Sequence, residues 1–191
     1  AIIQDGRLVD YHFELNNKQN VSGNIYKGKV MNILPGMEAA FVDIGLGKNA
    51  YLFFDDLLSD KFLQELRIKR KDAKNINKVL KTGDELLVQI VREPIGEKNI
   101  SVTTDISFTG KYIAFIPNTM GVNLSKKIKD RDERKRLEEI GKSIMADGNG
   151  MIIRTFAKGC PREAIEKEYE MLSSIYMQIE REYKYSYAPK L

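Results

Sequence analysis

The residues of this chain best suited to chemistry are binders of anions and flat rings. Arg154-Thr155 closes the apolar run Met151 to Thr155 and is followed by Phe156-Ala157-Lys158-Gly159 and a helix start at Pro161. A strand end, a loop and a helix N-terminus in one place offer free amides and the positive end of a dipole. An arginine fork and a threonine hydroxyl add oriented donors. A terminal phosphate fits such a place; the competing reading pairs Arg154 with a carboxylate of a neighbouring helix. Positive charge is also clustered. Between Lys61 and Lys81 stand Lys61, Arg67, Lys69, Arg70, Lys71, Lys74, Lys78 and Lys81 against only Glu65 and Asp72. Ser125 to Arg136 carries Lys126, Lys127, Lys129, Arg131, Arg134, Lys135 and Arg136 against three acidic residues. Such runs are commonly solvated faces, but beside exposed aromatic rings they form a groove for single-stranded nucleic acid. Phe41 and Tyr51 are the aromatic candidates. Phe41 or Val42 can each face inward from its strand, while the hydroxyl of Tyr51 favours an exposed edge. Lys98, in the turn before a strand, can reach a backbone phosphate or be an ordinary turn lysine.

Other chemistries lack their residues. One cysteine, Cys160, and one histidine, His12, cannot build a Cys/His zinc site or an internal disulfide, and no nucleophile–base–orienter set assembles from them. His12 occupies the polar side of a strand and reads as a solvated residue. Gly45-Leu46-Gly47-Lys48-Asn49-Ala50 formally matches a dinucleotide fingerprint, yet Tyr51-Leu52-Phe53-Phe54 reads as a further strand, so a hairpin turn is the better account. Asp55-Asp56 reads as a helix start rather than a metal pair. With 42% hydrophobic and 30% charged residues in 191, the chain is expected to fold, and its net charge of +4 matters by location more than by sum. No apolar run approaches the roughly 18 residues of a membrane span, and the first ten residues lack the features of a signal peptide. With a lone cysteine, a cytoplasmic location is expected.

Three blocks must position these groups. Asp5-Gly6 and the alternation of Val9, Tyr11, Phe13 and Leu15 predict an N-terminal hairpin. Next come five β-type runs, Asn24–Leu34, Ala39–Ile44, Asn49–Phe54, Leu86–Glu93 and Ile100–Thr104, separated by Pro/Gly/Asp turn signals. Five short strands in that length predict a small closed barrel of the OB type. The polar stretch Asp55 to Lys81, helical in part, is an insertion into it. After Asp105 the chain alternates: a strand at Tyr112–Ile116, a helix near Asp132–Met145 capped by Asp130 or Asp132, a strand at Met151–Thr155, and a long helix from Pro161 to about Lys184. In the last helix Ile165, Tyr169, Leu172, Tyr176, Ile179 and Tyr183 form one apolar stripe.

The words themselves resemble a known family. Gly23-Asn24-Ile25-Tyr26-Lys27-Gly28-Lys29-Val30 and Leu34-Pro35-Gly36-Met37-Glu38-Ala39-Ala40-Phe41-Val42-Asp43-Ile44-Gly45 are similar to the RNA-binding barrel of the ribonuclease E/G family. Gly83-Asp84-Glu85-Leu86-Leu87-Val88-Gln89-Ile90, Thr103-Thr104-Asp105-Ile106-Ser107, Gly110-Lys111-Tyr112, Ile116-Pro117-Asn118 and Ile152-Ile153-Arg154-Thr155 continue the resemblance in order. It implies an α+β molecule: a five-stranded S1-type OB barrel (20–104) inserted into an RNase H-like α/β domain (1–19 and 105–191). It also implies single-stranded RNA on Phe41, Tyr51 and Lys98, and a 5′-monophosphate sensor at Arg154, Thr155, Gly110, Ala114 and Lys126. Tyr51 stands where a phenylalanine is familiar, Ala114 where a valine is, and Lys126 where an arginine is. A lysine offers a point charge in place of a planar fork.

By the same resemblance, cleavage belongs to a later nuclease domain that holds Mg2+ on aspartates, followed by a Cys-Pro-x-Cys zinc link between subunits. The expectation is therefore the RNA-binding and end-sensing portion of an endoribonuclease, without a cofactor or catalytic residue in this segment, inactive alone and oligomeric only at full length. The alternative is a stand-alone RNA-binding adaptor.

Overall fold

The computed structural model describes residues 2–4, 7–10, 21–57, 75–92, 99–146 and 148–191. Near the N-terminus β1 (Ile2–Gln4) and β2 (Arg7–Asp10) pair antiparallel with Gln4 opposite Arg7. The Asp5-Gly6 turn and residues 11–20, which include the expected Tyr11, His12, Phe13 and Leu15, lie outside the described residues.

Five strands then close into a barrel: β3 (Ile25–Leu34), β4 (Ala39–Asp43), β5 (Ala50–Phe53), β6 (Glu85–Arg92) and β7 (Ser101–Thr103). Their order is β3-β4-β5-β7-β6, with β6 returning to β3 and β5 parallel to β7, which is an OB arrangement in an α+β chain. Period-2 alternation decides which side chains fill it. Tyr26, Val30, Ala40, Val42, Ala50, Leu52, Leu86, Val88, Ile90 and Val102 are buried together, while Lys27 and Lys29 point away from this core. Gly28 has an inward place too: a Cβ there would stand 2.5 Å from Val42 Cγ1. The expected β4–β5 hairpin is present, its reversal made by Gly45 and Gly47 at positive φ and by the Gly45 N–H donated to Asp43 Oδ1 at 2.9 Å. Asp55 and Asp56 fall in the first turn of the short helix α1 (Phe54–Leu57), and α2 (Ile76–Val79), N-capped by Asn75, lays Ile76 and Val79 against the core. Most of the basic run Lys61 to Lys81 lies outside the described residues; Lys78 and Lys81 are exposed.

The remainder builds a four-stranded sheet of β8 (Phe108–Thr109), β9 (Ile113–Pro117), β10 (Gly121–Leu124) and β11 (Asn149–Ile153), in the order β10-β11-β9-β8 with β10 parallel to β11. Helices α3 (Arg131–Ile144) and α4 (Arg162–Tyr185) cover one face, packing Leu137, Ile140, Ile165, Tyr169, Leu172 and Tyr176 onto Ile113, Phe115, Met151 and Ile153. Four details differ from the sequence-based expectation. Strands β8 and β10 were not anticipated. β11 runs two residues earlier, because Gly150 is a strand residue whose Cβ would stand 2.1 Å from Thr119 Oγ1. Arg154 and Thr155 accordingly lie past the strand, Thr155 opening a 3-10 turn to Ala157. Pro161 is the N-cap of α4 rather than part of its first turn. Of the two aspartates expected as the cap of α3, Asp130 is the one used, accepting from Glu133 N at 2.9 Å.

Gln89 and Lys27 tie the barrel to the part of the chain that follows it. Gln89, buried on β6, donates to Gly23 O at 3.0 Å and Ser107 O at 2.9 Å and accepts from Ser107 N at 2.9 Å. Lys27 donates to Tyr183 O at 3.1 Å and Ser186 O at 2.8 Å, pairs with Glu85 at 2.8 Å, and sits 4.6 Å from the Tyr183 ring centroid. A cation is thereby placed on the last carbonyls of α4, where the dipole favours it.

Candidate nucleic-acid interface

The barrel wall carries an aromatic row that its register produces. Phe41 on β4 is the cross-strand partner of Tyr51 on β5, and both lie on the opposite side of their strands from the buried Ala40, Val42, Ala50 and Leu52. Both rings are half-buried and meet edge to face at 5.4 Å. Phe53, two residues along β5 and therefore on the same side, is 45% exposed and lies 4.6 Å from Tyr51. Pairing continues outward in both directions: Asn32 of β3 opposes Phe41, Ser101 of β7 opposes Tyr51, and Arg92 of β6 opposes Ser101. Asn32 and Arg92 are exposed. One belt around the barrel thus holds an amide, two rings, a hydroxyl and a guanidinium, with the Tyr51 hydroxyl resting 3.7 Å from Met37 Sδ. Flat rings with polar and cationic flanks suit stacked bases and an adjacent sugar–phosphate backbone. Phe53 and Arg92 were missed from sequence, although the parity of Phe53 with Tyr51 is a usable signal. Lys98 lies outside the described residues.

The second group gathers around the loop between β8 and β9. Arg154, half-buried, donates its Nη1 to the carbonyl of Gly110 and its backbone N–H to Tyr112 O at 2.7 Å. Among the described residues it makes no ion pair, so the carboxylate partner considered for it is not found. The carboxylate that does approach from α4, Glu168, bonds the loop backbone. Thr155, exposed, places Oγ1 3.2 Å from Ser125 Oγ, and Ser125 Oγ also accepts from Lys127 N at 3.3 Å. Lys126, next in the same turn, is exposed. Ala114 lies on the sheet face away from the helices, half-buried, paired with Thr109 on one side and Ile152 on the other. The structure therefore brings Arg154 to Gly110 and Thr155 to the Ser125–Lys127 turn, with Ala114 in the strand that follows the loop. The Gly110 N–H is itself donated to Ile113 O at 2.8 Å.

The start of α4 contributes less than its sequence suggests. Gly159 N donates to Glu133 Oε1 at 2.8 Å, and Glu133 also takes Arg136 at 2.7 and 2.8 Å. The Arg136 guanidinium, then the Gly159 amide, hold the Glu133 carboxyl at about 2, well below the ordinary 4.5. Of the basic run, Arg136 is thus spent on Glu133 and Arg134 on the carbonyls of Ser125 and Ile128 at 3.2 and 3.0 Å. Lys126, Lys127, Lys129, Arg131 and Lys135 remain exposed. Among the described residues no three His, Cys, Asp or Glu side chains stand together as a metal site. No helix among them is long and apolar enough to cross a membrane.

Comparison with known proteins agrees with these features. A family model described as the ribonuclease E/G family matches residues 107–191. The chain is 35% identical to Ribonuclease G of Haemophilus influenzae over 100% of its own length and 39% of that protein's. It is 34% identical to Ribonuclease G of Escherichia coli over 94% of this chain and 37% of that protein, and 39% identical to Ribonuclease E of Nostoc sp. over 88% and 24%. The chain thus spans between about a quarter and two fifths of these relatives. With similarity over 88 to 100% of its own length to relatives named Ribonuclease G and Ribonuclease E, and the family model falling on the sheet and helices that carry Arg154, the chain belongs to the ribonuclease E/G family.

Proposed function

We propose that this chain is the RNA-binding and 5′-monophosphate-sensing portion of a metal-dependent endoribonuclease acting in RNA processing and decay in the cytoplasm. The belt Asn32–Phe41–Tyr51–Ser101–Arg92 is the observation that carries the reading, because aligned rings with polar flanks on a barrel wall match an unpaired strand better than a duplex. In this reading residues 20–104 form the S1-type domain, and 1–19 with 105–191 form an RNase H-like domain around it. Phe41 and Tyr51 stack bases and Lys98 meets the backbone. Arg154, Thr155 and Lys126 receive the terminal phosphate, Gly110 orients Arg154, and Ala114 lines the wall. Strand scission, its Mg2+, the zinc link and oligomerisation belong to the nuclease domain of the longer protein, and this segment alone binds without cleaving.

The test is a titration of the chain with a short fluorescent RNA carrying either a 5′-phosphate or a 5′-hydroxyl. The phosphate form binds more tightly, Arg154→Ala removes the difference, and both affinities fall with salt as counterions are released. Equal affinities for the two ends in the unaltered chain would remove the sensor.

A further inference from the structure

We infer that Glu168 is a positioning residue for Arg154, acting through the backbone of the β8–β9 loop; the inference rests on the 5′-phosphate reading of that arginine. Glu168 is the only link between α4 and three successive loop amides that the described contacts contain. Its Oε1 accepts from Lys111 N at 2.7 Å, and its Oε2 accepts from Tyr112 N at 2.7 Å and Ile113 N at 2.9 Å. Consecutive N–H groups turned toward one point make a nest for an anion, and here the anion is a side chain of the protein itself. The carboxylate lies so close that Gly110 has no space for a side chain: a Cβ would stand 2.5 Å from Glu168 Cδ and 2.7 Å from each oxygen.

Two carbonyls of the same loop hold Arg154. Its guanidinium is on the carbonyl of Gly110, its own N–H is on the carbonyl of Tyr112, and the Gly110 N–H closes the loop on Ile113 O. Both hydrogen bonds that Arg154 donates therefore end on a loop whose amides point at Glu168; its own carbonyl accepts from Ala157 N at 3.0 Å in the turn that follows. Turning the amides inward to the carboxylate turns the carbonyls of Gly110 and Tyr112 outward to the arginine, since each peptide plane carries its N–H and C=O on opposite sides. A carboxylate suits the task because it only accepts. A glutamine would present an NH2 to at least one of three N–H groups.

Glu168→Gln in the full chain tests this, read as the ratio of affinities for 5′-phosphate and 5′-hydroxyl RNA. The expected result is a fall of that ratio by about tenfold, with binding of the 5′-hydroxyl RNA through the barrel unchanged. Gly110→Ala, which displaces the carboxylate while leaving Glu168 in place, gives the same fall; it keeps the test usable if Glu168→Gln does not fold by circular dichroism. Glu166→Gln, two residues earlier and paired with Arg162, leaves the ratio as it was. A folded Glu168→Gln or Gly110→Ala chain with an undiminished ratio overturns the positioning role, as does a raised ratio, which would make Glu168 a competitor of the phosphate. An unaltered chain with no preference overturns the underlying sensor reading instead and takes this inference with it.

Discussion

Truncating Tyr51 to alanine should cost this chain more RNA affinity than truncating either of its aromatic neighbours. By alanine substitution a stacked base is worth about 1 to 3 kcal/mol. Tyr51 is the middle ring of three, 5.4 Å from Phe41 and 4.6 Å from Phe53. Edge contacts of this kind contribute about 0.5 to 1.5 kcal/mol and fix the orientation of the flanking rings. Its removal therefore falls in the upper part of the range, about 2 to 3 kcal/mol, or a roughly 30- to 150-fold rise in Kd. Phe41, with one ring neighbour among the described residues, falls lower, at about 1 to 2 kcal/mol. Because the two rings touch, the double substitution costs less than the sum of the singles. The assay is fluorescence anisotropy with a 5′-hydroxyl oligonucleotide, which isolates the barrel from any contact with a terminal phosphate. Tyr51→Phe keeps the ring and should stay within about threefold of the unaltered chain. Tyr185→Ala, removing an 84% exposed ring at the end of α4, is the control. If Tyr51→Ala binds within about twofold of the parent chain, or no worse than Tyr185→Ala, the barrel belt is not the RNA surface.

Three further outcomes concern the frame that holds these sites. Gly28→Ala drives a methyl to within 2.5 Å of Val42 Cγ1 and should destabilise the barrel by about 1 to 3 kcal/mol, read as a lower melting temperature. Lys27→Met removes the cation that joins Glu85 to the last carbonyls of α4; a loss of about 1.5 to 3 kcal/mol is expected, with faster amide exchange in the final turn of the helix. Glu133, depressed to about 2 from 4.5, stabilises the fold above the higher value, and that contribution is lost as pH falls from 4.5 through about 2. In Glu133→Gln the acid-side decline of the melting temperature should be shallower over that interval.

What could be read from the chain without coordinates followed the length of each pattern. β3, β4, β5 and β6 announce themselves because apolar alternation is bounded by residues with backbone roles, such as Gly45 and Gly47 at positive φ. β8 is two residues long and has no period to detect. β10 offers only Val122 and Leu124, and its pairing with β11 comes from sheet formation rather than from propensity. Gly150 misled for a different reason: in Asp147-Gly148-Asn149-Gly150 both glycines look like punctuation, yet only Gly148 has positive φ. Gly150 instead avoids Thr119 in three dimensions. At the candidate sites, the residue types were legible and the partners were not. Arg154 and Thr155 stand out as donors, whereas Glu168, between Glu166 and Glu170 on a charged helix, looks like one more solvated acid. Only the fold reveals that it faces Lys111, Tyr112 and Ile113.

Helix α4 has a consequence for spacing. It is anchored near its start by Glu168 and at its far end by Tyr183 and Ser186, so a stiff rod of about 22 Å separates the first anchor from Tyr183. A calliper of this kind cannot be adjusted one notch at a time. A single inserted residue would lengthen it by about 1.5 Å but swing one jaw through about 100° relative to the other, so that Glu168 and Tyr183 could not both meet their partners. Changes in the reach between the barrel and the β8–β9 loop are confined to near-integral turns.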